Sequence, residues 1–249
     1  MSDRSEELAA NLRAVHERIT AACDASGRSP EGVTLVVVSK FFPAEDAARL
    51  VQLGVRDLGE NRDQEASAKA AELKELVAPE VLAQTRLHFI GQVQTKKARS
   101  VARYADVVQS VDRPRLVHAL DRAVGAAIEA GERTAHLDVT VQLDLEEGER
   151  AGRGGVPPDQ ATALADLVAG TEHLRLRGVM AVAPPGLDDA ARRAAFQRIA
   201  ACATEIRGAH PEAGWISAGM SGDLEDAIAV GATHLRVGSA ILGSRPSHG

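Results

Sequence analysis

Short, nearly continuous apolar runs recur along the whole chain, at 33–39, 55–58, 87–90, 107–111, 137–143, 176–182, 215–218 and 235–237. Between them lie stretches rich in Ala, Leu, Glu and Arg, at 43–53, 64–77, 113–130, 158–168, 188–207 and 224–230. A strand that is apolar on both faces needs cover on both, and an alternating helix supplies it, so the pattern predicts parallel βα units. Eight in succession predict an α/β fold, a single parallel (β/α)8 TIM-type barrel. Leu8, Leu12, Val15, Ile19 and Ala22 fall on one helical face, which adds an extra N-terminal helix over 3–25. An open doubly wound sheet is the alternative, but no G-x-G-x-x-G follows the first strand and nothing marks a switch point.

Other features bound the reading. No composition break, long linker or repeat divides the 249 residues, and the Gly/Pro-rich stretches at 148–158 and 184–186 are short enough to be loops, so residues 1–249 read as one domain. Aromatic residues make up only 2% of the chain, so Val, Leu, Ile and Ala must fill its core. A net charge of −6 argues against a broad nucleic-acid or anionic-membrane surface, and any anion must be held locally. Cys23 and Cys202 form no C-x-x-C pair, which suggests neither a disulfide framework nor a zinc site and fits a reducing compartment. The start is charged from Asp3 to Glu7, and no run reaches the ~18 apolar residues of a membrane span. A cytoplasmic protein is expected. No apolar repeat marks an obligate interface, which favours a monomer.

In such barrels ligands bind where the strands end, so the residues closing each run carry the interest. The first run, VTLVVVSK, ends on Lys40 at the mouth of an apolar interior. Desolvation there would free some amine to attack an aldehyde, although a solvated lysine closing a strand is the plain alternative. The second run leads into LGEN, where the Asn61 amide suits a phenolic oxygen or a pocket rim, or else caps the following helix. In LHFIGQVQTKK, His88, Phe89 and Ile90 are candidates for a pocket wall and Gly91 for a close turn. His88 reads as a core or supporting histidine, and Lys96 and Lys97 as a solvated helix start.

The last two runs carry the strongest pattern. Gly219-Met220-Ser221-Gly222-Asp223 follows one, and Gly238-Ser239 follows the other. Small residues at a strand-to-helix turn expose backbone N–H groups and a hydroxyl beside a helix start, which suits an anion. Many barrels hold phosphate after strands seven and eight. Arg236, two residues before Gly238, needs an acceptor if buried, either a structural carboxylate or a ligand.

Together these residues carry a resemblance. VVVSK, LGEN with Gln64-Glu65, HFIG with Gln94 and Lys97, RGVMAV, SAGMSGD and RVGSAILG resemble the pyridoxal phosphate homeostasis proteins, a family similar to the N-terminal barrel of alanine racemase. The resemblance spans about residues 5–245, with six motifs in order. It implies a non-catalytic protein that binds pyridoxal 5′-phosphate (PLP) in intracellular vitamin B6 homeostasis. Lys40 would be the Schiff-base lysine, and Asn61 and Met220 would line the ligand. Ser221, Gly238 and Ser239 would cradle the phosphate, with Arg236 facing the pyridine nitrogen. PLP-requiring apoenzymes are the implied recipients. Leu87, Lys96 and Arg153 depart from the family's usual Trp, Asn and Lys.

A ring nitrogen opposite arginine stays unprotonated, which weakens the ring as an electron sink. Alanine racemase tolerates this with a catalytic lysine and a tyrosine contributed by a second domain across its dimer. Here the only tyrosine is Tyr104, expected in a helix after the third strand, and no second domain is expected beyond the barrel. A slow PLP-dependent racemase or lyase is the alternative function.

Overall fold

The computed structural model describes residues 3–146 and 154–244 of the protein. Its strands are β1 (Thr34–Val38), β2 (Asp57–Glu60), β3 (Arg86–Phe89), β4 (Val107–Val111), β5 (Leu137–Gln142), β6 (Leu174–Met180), β7 (Trp215–Ser217) and β8 (His234–Val237). All pair in parallel with their sequence neighbours, and β1 pairs with β8, so the sheet closes into the expected eight-stranded barrel rather than an open sheet.

The helices are α1 (Asp3–Ala25), α2 (Ala44–Gln52), α3 (Asp63–Leu76), α4 (Pro79–Leu82), α5 (Ala98–Tyr104), α6 (Pro114–Glu129), α7 (Pro158–Ala169), α8 (Asp189–Ala209), α9 (Leu224–Ala229) and α10 (Ser239–Leu242). Alternate strand residues such as Val37, Leu58, Phe89, Val108, Val139 and Leu235 join the helices' apolar faces in one cluster. Helix α1 buries Leu8, Leu12, Val15 and Ile19, each contributing about 1.5–3 kcal/mol. Its polar residues reach the barrel mouth: Arg4 donates to Asp46 and to the Leu242 carbonyl, and Asn11 to the Ile241 carbonyl. Among the described residues no helix is long and apolar enough to cross a membrane.

Two strands begin two residues away from the start of their apolar runs. The second strand is Asp57–Glu60 rather than 55–58, because Val55 closes α2 by donating to the Leu50 carbonyl at 3.0 Å. The sixth is Leu174–Met180 rather than 176–182. It starts with buried Leu174 and Leu176 alternating with Arg175 and Arg177, and that alternation hides its first turn from a search for continuous apolar residues.

Candidate functional site

The mouth of β1 is a built turn. Beyond Val38 the Phe42 N–H donates to the Ser39 carbonyl at 3.1 Å, which puts Lys40 and Phe41 at the corner. Phe41 has a φ of 70°, the one non-glycine in the left-handed region among the described residues. That conformation costs an L-residue roughly 1–2 kcal/mol, so the surroundings must hold it. They do so from beneath. Lys69 Nζ donates to the Ser39 carbonyl at 2.7 Å and to Glu60 Oε1 at 2.5 Å, while Ser39 Oγ donates to the same carboxylate at 2.7 Å. Lys69 and Glu60 are buried, and their ion pair ties α3 to the ends of β1 and β2. Lys40, half-buried, has its Nζ 5.8 Å from the Phe41 ring centre.

The loops after β7 and β8 meet across the mouth. Gly219 has a φ of 93°, and a Cβ there would lie 2.7 Å from Ala227 Cβ, so only glycine fits this turn. Asp223 accepts from the Met220 N–H at 2.6 Å and closes the loop. Ser239 Oγ donates to Ser221 Oγ at 3.3 Å, and the Ala240 N–H donates to it at 3.4 Å, joining the loop to the start of α10. From outside, Arg18 of α1 donates to the Ser221 carbonyl at 3.1 Å.

Arg236 is buried, and its partners are neutral. Its guanidinium donates to Ser217 Oγ and to the Ala181 carbonyl, both at 2.7 Å, and among the described residues no carboxylate pairs with it. Desolvation pulls it down to about 10, with Asp223 pulling the other way. The bland expectation of a structural carboxylate therefore fails. The barrel interior supplies oriented dipoles in its place.

Lys40, Asn61, Met220, Ser221, Arg236, Gly238 and Ser239 all line one pocket of about 440 Å³, with Val38, Ile90, Met180 and Val182 as apolar wall. That volume is in the usual range for a small-molecule site. Among the described residues, Lys40 and Arg236 are its only ionisable lining groups. Asn61 is not the helix cap, because Arg62 holds the N-cap position of α3. Instead Asn61 sits against Gly91, where a Cβ would come within 2.0 Å of the Asn61 carbonyl, and it separates the pocket from a second cleft of about 370 Å³.

Other expectations need correction. Only Ile90 of the third run walls the pocket; Phe89 faces the neighbouring cleft, and His88 lies wholly inside the barrel. Lys96 is exposed, but Lys97 pairs with Asp63 at 3.0 Å rather than being simply solvated. Tyr104 does not reach the pocket: its hydroxyl donates to Asp63 at 3.2 Å, and burial, together with Asp63, pushes it well above the usual phenol range. Arg153 lies outside the described residues.

Sequence reasoning missed Ser39, Glu60, Lys69, Arg18 and Asn11. Ser39 stood in VVVSK and Glu60 in LGEN as local signals, whereas Lys69, Arg18 and Asn11 are fixed only by long-range folding.

A family model described as the alanine racemase N-terminal domain matches residues 6–246. The pyridoxal phosphate homeostasis protein of Mycobacterium tuberculosis is 42% identical over 247 residues, covering 98% of this chain and 95% of that protein. A crystal structure from Bifidobacterium adolescentis superposes with a TM-score of 0.86 at 28% identity, over 97% of each chain. PipY of Synechococcus elongatus, solved with PLP bound, superposes with a TM-score of 0.78 at 31% identity, over 95% of this chain and 100% of that one. Matched over nearly its full length by such relatives, the chain belongs to the pyridoxal phosphate homeostasis protein family, built on the barrel of the alanine racemase N-terminal domain.

Proposed function

We propose that this protein is a non-catalytic PLP-binding protein of intracellular vitamin B6 homeostasis, holding PLP as a Schiff base on Lys40 and releasing it to PLP-requiring apoenzymes. The observation that carries the proposal is the pocket itself. Two cations, Lys40 and Arg236, and the hydroxyls of Ser221 and Ser239 line about 440 Å³ that no carboxylate, histidine, cysteine or tyrosine enters among the described residues. This donor set fits the group. An amine meets an aldehyde, small residues and hydroxyls meet a phosphate, and a fixed cation meets a ring nitrogen. A Cβ on Gly238 would press to 3.1 Å from the Val38 carbonyl, so a side chain there needs that backbone to shift by a few tenths of an ångström.

Bound PLP supplies an electron-withdrawing ring to an attached amine, most strongly when its nitrogen is protonated. Arg236 cannot accept that proton, and it holds a hydrogen-bond donor towards the pocket. Asn61 and Met220 would border the ligand, and Val38, Ile90 and Met180 would give it apolar wall. Fast racemisation needs a second acid or base on the far face, and among the described residues the lining offers none. A monomer in the cytoplasm suits this role and the −6 net charge.

Absorption spectroscopy of purified protein, followed by borohydride reduction and peptide mapping, should put the label on Lys40. A label elsewhere refutes that assignment. Offered a panel of L- and D-amino acids, the protein should show no turnover, and rates above about 1 s⁻¹, the low end of ordinary enzymes, overturn the carrier reading.

A further inference from the structure

We propose that Ser217, Gln109, His88 and Asp57 form a positioning relay that holds Arg236 towards the ring of a bound pyridine ligand, an inference that rests on the pocket being a PLP site. The interior of such barrels is ordinarily filled by branched apolar side chains. Here a line of polar side chains crosses it. Arg236 donates to Ser217 Oγ at 2.7 Å, Ser217 Oγ donates to Gln109 Oε1 at 2.7 Å, Gln109 Nε2 lies 2.9 Å from His88 Nδ1, and His88 Nε2 lies 2.8 Å from Asp57 Oδ1. Ser217, Gln109 and His88 are each 0% exposed.

The donor order is set by chemistry. Guanidinium only donates, so Ser217 Oγ accepts from Arg236 and sends its own proton to Gln109 Oε1. The Gln109 amide nitrogen then donates to His88 Nδ1, which leaves the imidazole proton on Nε2 for Asp57. Reversing the amide would set two donors on Ser217 and require His88 to carry both protons. Every bond therefore points from the pocket towards Asp57, at the start of β2 and the opposite end of the barrel.

Burying this many polar atoms is unfavourable unless all are satisfied, and along the line each is. The arrangement does what a carboxylate beside Arg236 would not. A bidentate carboxylate would take the fork of the guanidinium for itself, whereas Ser217 and the Ala181 carbonyl take one N–H each. The side chain is thereby pinned while it still lines the pocket. His88 is then a positioning residue, acting on the ligand through Arg236.

The test compares PLP with its carbocyclic analogue, in which C–H replaces the ring nitrogen, on wild type, Ser217→Ala, Gln109→Leu and Ser217→Thr. Losing one hydrogen bond to a charged group should weaken PLP by about tenfold in Ser217→Ala and Gln109→Leu. Binding of the analogue should change less than twofold, and Ser217→Thr should restore PLP. Equal losses for both ligands, or no loss for PLP, overturn the relay. Should the variants fail to fold, ¹⁵N-histidine NMR of the wild-type protein decides: His88 is expected as the neutral Nε2–H tautomer, and an Nδ1–H tautomer or an imidazolium at pH 7 overturns the relay. Failure of wild type to bind PLP would refute the site reading instead, and the tautomer would still judge the relay.

Discussion

Replacing Lys69 with methionine isolates the buried support beneath the Lys40 turn. The change keeps most of the unbranched side chain and removes its charge. In the native protein the Lys69 and Glu60 side chains are 7% and 4% exposed, so water does little to screen the 2.5 Å pair. After Lys69→Met, Glu60 Oε1 keeps only Ser39 Oγ, and Oε2, already buried without a partner, gains none. An uncompensated buried charge of this kind costs about 3–5 kcal/mol. In a chain of this size that lowers the melting temperature by roughly 6–20 °C. Converting both residues, with Glu60→Leu and Lys69→Met, removes the orphan charge and should recover most of the loss. Thermal and urea unfolding of the two single variants and the double variant close the cycle, with an expected coupling of about 2–4 kcal/mol. The single variant should also hold PLP less well, because the Ser39 carbonyl loses its donor. A loss below about 1 kcal/mol for Lys69→Met, or strict additivity in the double variant, would refute the reasoning.

Ser221→Ala and Gly238→Val should weaken PLP by about tenfold or more while sparing pyridoxal, since only the phosphate ester uses those donors; equal losses count against the cradle. Arg236→Glu should protonate the ring nitrogen and change the visible spectrum of the bound ligand, and an unchanged spectrum would mean that Arg236 faces something else. Burial depresses His234 from 6.5 to about 3. The unfolded chain thus takes up a proton that the folded chain refuses, and stability, full above about pH 6.5, falls towards pH 3 by at most ~1.4 kcal/mol per unit. His234→Phe, which can keep the stack on Trp215 at 4.2 Å, should flatten that slope between pH 4 and 6.5, and an unaltered acid limb sinks the assignment.

The barrel was legible because a parallel strand buried on both faces leaves a continuous apolar run, and eight such runs recur. The convergence of the seven candidate residues on one pocket was legible for a related reason. Barrel closure brings strand ends together, so residues far apart in sequence but each at a strand end converge on one pocket. The supports were not legible. Lys69 reads as one more charge in the helical stretch EASAKAAELKE, and nothing local tells that its ammonium is buried against Glu60. Gln109 and Ser217 are ordinary polar residues in apolar runs, and their meeting across the barrel depends on strand register. Arg18 reaches the Ser221 carbonyl over 203 positions of sequence, a contact that only the packed fold creates.

Two lysines near the mouth of β1 differ in what the fold leaves them able to do, and only one fits the nucleophile of the proposed Schiff base. Lys69 spends its donors on the Glu60 carboxylate and the Ser39 carbonyl in a buried site, so its nitrogen is pinned. It also lies outside the lining of the pocket. Lys40 sits one residue beyond Ser39 at the corner of a turn that forces Phe41 into the left-handed region, and it lines a pocket whose described walls carry no carboxylate. The first lysine makes the turn rigid; the second uses that rigidity. On the proposed reading a carrier gains from this division, because a firmly placed amine can bond reversibly to an aldehyde. The same division explains the placing of the two pocket cations. Lys40 is only half-buried, while Arg236 is sealed against neutral acceptors that fix its direction.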